Sequence, residues 1–129
     1  MLQKYNDTAA AVALIIFLLG ALFYVAQLLF TTESWLAQNG IGPEGIGLAR
    51  VLGFTWLGIS VGLILTFTKG PDGQHTFFLA LLIAQIGIFL NLWHQHFIAN
   101  NSTIFDDAII VSVLTALLLF GYFKVRSRL

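Results

Sequence analysis

The stretch AAAVALIIFLLGALFYVAQLLF, residues 9–30, decides the fold. Twenty-two consecutive positions carry no charge, and Tyr24 and Gln27 are the main polar interruptions. A helix needs about 20 apolar residues to cross the ~30 Å hydrocarbon layer, and this run is longer than the apolar region of a cleavable signal peptide. It reads as a membrane helix. Three more runs of the same kind follow, at 46–67, 77–98 and 106–125. Punctuation separates them: Pro43-Glu44-Gly45 suits the first turn of the second helix, Gly70-Pro71-Asp72-Gly73 is a turn before the third, and Asp106-Asp107 favours the start of the fourth.

Composition agrees. The 129 residues are 58% hydrophobic and 9% charged, against roughly 25% charged in soluble domains. The expected fold is an all-α integral membrane four-helix bundle, with residues 1–129 forming a single transmembrane domain. There is no cysteine, which excludes disulfides and thiolate metal sites. No nucleotide motif occurs, and nucleic acid is not an expected partner. The expected partners are the lipid bilayer and other membrane subunits or further copies of this chain.

Charge placement predicts orientation. Lys4, Lys69, Lys124, Arg126 and Arg128 fall at the N-terminus, the second loop and the C-terminus, which an even number of spans puts on one side. Short cytoplasmic loops carry the lysine and arginine excess, so both termini are expected to be cytoplasmic. The first and third loops hold neither residue type and are expected outside. Within the first loop, Glu33 to Ala37 suggests a short interfacial helix capped by Thr32 and ending at Asn39-Gly40, with Trp35 among the headgroups.

Lipid gives little drive for helix association, so small residues and interhelical hydrogen bonds should mark the inward faces. The stripes expected inward are Ala13, Gly20, Tyr24, Gln27 and Thr31 in the first helix. In the second they are Gly47, Val51, Thr55, Gly58 and Gly62; in the fourth, Ala108, Ser112, Thr115 and Ala116.

The polar residues inside the spans gather toward the outer side. Asn91, His94 and Gln95 are read as one face of the third helix, with His96 turned toward the side that carries Gln85. His94, Arg50, Asn91 and Gln95 are the expected lining of an outer-side pocket, with His94 as proton acceptor or axial ligand and Arg50 as an anion contact. An ionised side chain near a bilayer normally finds a partner, so Arg50 is expected to pair with Asp107 or Asp106. No metal-ligand spacing and no catalytic signature appears, and the cofactor is unknown.

With Ala49-Arg50-x-x-Gly53 opening a glycine-rich second helix after a Pro-Glu loop, the chain resembles small four-helix bacterial membrane proteins, broadly DoxX-like in layout. That resemblance implies a bacterial cytoplasmic membrane. The polar third helix and the long first loop depart from DoxX-type proteins, and no functional residue carries over. The expected function is a non-catalytic accessory or assembly subunit of a larger membrane complex, contacting a pigment, haem or lipid. The alternatives are a small-solute or ion transporter acting as a homo-oligomer, and a quinone- or haem-binding redox subunit.

Overall fold

A computed structural model describes residues 2–129, and it is all-helical. Four of its helices are long and apolar enough to cross a membrane: α1 (Thr8–Phe30), α3 (Ile46–Lys69), α4 (His75–Phe97) and α5 (Phe105–Val125). A short helix, α2 (Thr32–Gln38), follows α1, and single 3₁₀ turns lie at both ends of the chain and before α3 and α5. Each of the four long helices coincides with one of the four apolar runs, its ends within two residues of the expected ones.

The local causes are ordinary. Asp7 caps α1 by accepting the backbone N–H of Ala10 at 3.0 Å. The turn after α3 needs glycine where φ is positive, at Gly70 (φ 95°) and Gly73 (φ 76°). Helix α2 forms where the first loop was expected to be helical, but Thr32 is not its cap. Thr31 holds that position, and the Thr32 hydroxyl donates back to the Leu28 carbonyl at 2.5 Å, tying α2 to the end of α1.

Helix α1 is the central element. It packs against both α3 and α5, and α4 packs against α5, so the closely packed order is α3, α1, α5, α4. In keeping with that place, 44% of the most apolar window of α1 is buried against 22% for α4. Glycines allow the close approaches: a Cβ on Gly20 would lie 2.6 Å from Leu114 Cδ2, and one on Gly121 would lie 2.6 Å from Leu14 Cγ.

The expected stripe of α3 is corrected except at Gly62, where a Cβ would lie 2.8 Å from Phe77 Cε2. Gly47, Val51, Thr55 and Gly58 face outward, and a Cβ on Gly47 or Gly58 would meet nothing within 4 Å. The packed face runs instead through Ala49, Gly53, Ser60, Leu63 and Phe67. At ~100° per residue these also form one stripe, and they are as small near the start of the helix as the other set. Small-residue spacing therefore marked two faces and did not choose between them. In α5, Ala108 and Thr115 are buried as expected, while Ala116 is exposed.

The two ends of the bundle differ. At the end that holds both termini, Leu14, Phe17, Leu63, Phe67, Phe78 and Leu118 form a filled core, and Tyr5 is fully buried in it. The Tyr5 hydroxyl is hydrogen-bonded to Thr66, and its ring lies 4.6 Å from that of Phe67. Arg128 closes this end by donating to the carbonyls of Tyr5 and Lys4 and to the Asp72 carboxylate at 3.0 Å. Lys124 and Asp7 pair at 3.5 Å. The N-terminus, second loop and C-terminus are thus gathered at one end, as the charge pattern requires. At the opposite end only Leu28, Leu36 and Ala49 form a small second core, and the helices spread.

Candidate functional site

The spread encloses a cavity of about 410 Å³ in the half of the bundle away from the termini. A volume of that size is within the usual range for small-molecule sites. Phe17, Ala21, Leu114 and Gln85 line its deeper part, Tyr24, Trp56 and Val111 its middle, and Trp35, Asn39, Asn91, Gln95 and Asn101 its mouth. Its shape follows from the packing order: α3 and α4 are not closely packed against each other, so space is left between them, and α1 and α5 form its back wall.

Each polar group has a local reason for its place. Asp107 sits in the first turn of α5, where negative charge is favourable, and its Oδ1 accepts the Tyr24 hydroxyl at 2.9 Å. Gln85 is buried and donates through Nε2 to the Thr115 hydroxyl at 3.0 Å, and that hydroxyl donates to the Val111 carbonyl at 2.7 Å. Above it, Trp93 Nε1 donates to Ser112 at 2.8 Å. These bonds fasten α4 to α5 and turn residues 88, 91 and 95 toward the cavity. Asn39 and Asn101 are partly occupied, the first donating to the Trp35 carbonyl at 2.8 Å and the second accepting from Thr103. Trp35 Nε1 is buried and has no hydrogen-bond partner.

Of the four residues expected to line an outer pocket, Asn91 and Gln95 do so. His94 does not: it is exposed and outside the lining. Helical geometry gives the reason, since His94 is rotated by roughly 100° from Gln95 and by nearly 180° from Gln85. His96 is half-buried among aromatic rings, with centroids 5.8 Å from Trp93 and 5.0 Å from Phe105, and its Nδ1 has no partner. No histidine lines the cavity, so it offers no imidazole for axial ligation of haem or chlorophyll.

Arg50 is likewise exposed on α3 and outside the cavity. The expected pair with Asp107 or Asp106 is not made: among the described residues the ion pairs are Lys124 with Asp7 and Arg128 with Asp72. The cause is the packing order, in which α1 stands between α3 and α5. Asp107 finds Tyr24 of α1 instead, and Asp106 is exposed. No group of three or more metal-binding side chains is present among the described residues.

Sequence reasoning missed three of the lining residues that matter most. Tyr24 was placed on an inward face without a partner, Trp35 was assigned to the headgroups, and Trp56 was passed over. The signal for Trp56 was its place on the Ala49, Gly53, Ser60 face of α3, one turn below Gly53.

No family model, curated protein or solved structure matches this chain. The DoxX-like likeness of layout therefore gains no support from them. What remains is the class defined by the architecture, an all-α protein with four membrane-length helices and a cavity confined to one half.

Proposed function

We propose that this chain is a non-catalytic membrane subunit that holds one small amphiphilic molecule in the cavity. One observation carries the reading: a 410 Å³ space between membrane-length helices, lined mostly by apolar side chains, on which Gln85, Asn91, Gln95 and the Tyr24–Asp107 pair converge. Such a space suits a molecule with an apolar body and one polar end. The cavity stops at Phe17 and Leu114; the core of Leu14, Phe67, Phe78 and Leu118 lies below it, and a separate hollow of about 200 Å³ beside Gly62, Thr66 and Phe77 shares no lining residue with it. That closure weighs against a transport path and favours a holding role within a larger membrane assembly.

The lysine and arginine bias supports cytoplasmic termini, which turns the mouth of the cavity to the outer side. The test is fluorescence. Trp35 and Trp56 line the cavity and Trp93 does not, so a small brominated aromatic alcohol should quench part of the emission saturably. Filling the cavity by Ala21→Phe should abolish the saturable part. Linear quenching in both proteins would sink the proposal.

A further inference from the structure

The chemistry of the lining narrows the ligand. Among the residues around the cavity Asp107 is the one carboxylate, and no lysine, arginine or histidine accompanies it. Both ion pairs of the described residues lie at the opposite end of the bundle, so no protein cation reaches Asp107. Its Oδ1 is taken by the Tyr24 hydroxyl, which leaves the carboxylate with unused acceptor capacity. Four aromatic side chains share the space: Phe17, Tyr24, Trp35 and Trp56. A half-buried carboxylate without a counter-ion, lining a cavity with aromatic rings, is complementary to a positively charged organic group.

We infer that the cavity takes a lipophilic organic cation, an amine or quaternary ammonium with an apolar body, with Asp107 as its counter-ion, Tyr24 beside the charged end and the other aromatic side chains lining the space its body fills. An anionic ligand would meet a carboxylate and no compensating base. A neutral one would leave that carboxylate without a partner charge inside the bundle. Trp35 Nε1, buried and without a partner, supplies a donor for an oxygen on the same molecule. The cation belongs either to a free lipophilic amine or to the ammonium headgroup of a lipid entering between α3 and α4, and the chemistry recognised is the same. This inference rests on the binding role proposed above.

The experiment compares benzyltrimethylammonium with neopentylbenzene, its neutral carbon isostere, by titrating tryptophan emission of the full chain in an uncharged maltoside micelle. The cation should bind saturably and at least tenfold more tightly than the isostere. Asp107→Asn should weaken the cation at least tenfold and leave the isostere unchanged, whereas Asp106→Asn, on the exposed neighbour, should alter neither. Should Asp107→Asn fail to fold, the comparison of the two ligands on the unaltered chain still decides. Equal affinities would overturn the cation and leave the binding role standing; saturable binding of neither would overturn both. Competition by short-chain phosphatidylcholine, but not phosphatidylglycerol, identifies a lipid headgroup as the source, and indifference to both identifies a free cation.

Discussion

Tyr24 in the C-terminal third of α1 and Asp107 in the first turn of α5 are joined by a 2.9 Å hydrogen bond, the phenol donating and the carboxylate accepting. The bond fixes the only ionisable carboxylate of the cavity lining against the central helix. It also explains why that carboxylate does not reach Arg50, since α1 lies between the helices that carry them.

Tyr24 and Asp107 should therefore be energetically coupled. Tyr24→Phe and Asp107→Ala, each of which removes one partner of the bond, are each expected to cost about 1 kcal/mol, the scale of interhelical hydrogen bonds in membranes. The double variant should lose less than the sum by at least about 0.5 kcal/mol. Reversible unfolding in mixed micelles measures the cycle, and strict additivity would contradict the bond.

Arg50→Leu and Asp107→Asn should behave independently, with losses that add within about 0.5 kcal/mol. Arg50 is exposed and its own replacement should change stability little. Non-additivity in the same unfolding assay would restore the ion pair that the packing order rules out.

Two alanine substitutions test the packing. Gly121→Ala places a Cβ 2.6 Å from Leu14 Cγ and should destabilise by roughly 1–3 kcal/mol, the usual cost of overpacking. Gly58→Ala meets nothing within 4 Å and should be neutral or slightly stabilising, because alanine is the better helix former. Thermal unfolding of the two variants ranks them; the reverse order would mean that α3 is packed on its other face.

The terminal end should respond to pH in two separate windows. Burial pushes the Tyr5 phenol up to about 12, against the partial relief given by Thr66 and Arg128. Stability from its neutral form is thus complete below pH 10 and is lost as pH rises toward 12. Tyr5→Phe should remove that alkaline loss. The Asp7 carboxyl is held below its ordinary 3.8, first by the Ala10 N–H and also by Lys124. Its contribution is present above 3.8 and is lost as pH falls through the depressed value, a loss that Asp7→Asn should abolish. Unfolding midpoints taken across both ranges check the two signs.

Much of the architecture was legible in the sequence because hydropathy and turn chemistry are local. The 9–30 run, the Gly70-Pro71-Asp72-Gly73 turn and the Asp106-Asp107 helix start each fix an element without tertiary information. Which face of a helix turns inward is a different question. The sequence of α3 points to the stripe through Gly58, but Ala49, Gly53 and Ser60 form a second small-residue stripe, and the position of α1 between α3 and α5 selects Gly53 over Gly58. The same arrangement separates Arg50 from Asp107. His94 is expected inward because Asn91 and Gln95 beside it also need hydrogen-bond partners, whereas the hydrogen bonds of Gln85 and Trp93 to α5 set the rotation of α4 and leave it outside. Trp35 entered the site because α2 folds back over the bundle, its Thr32 held by the Leu28 carbonyl.

The central claim is that the cavity holds a molecule in the membrane where the protein works. Native mass spectrometry of the tagged chain, gently extracted and compared with its Ala21→Phe variant, tests it most directly. The account predicts one small amphiphile per chain in the unaltered protein and none in the variant, with any partner subunits retained in both. An unaltered protein carrying no such molecule, or equal occupancy in the two, would contradict it.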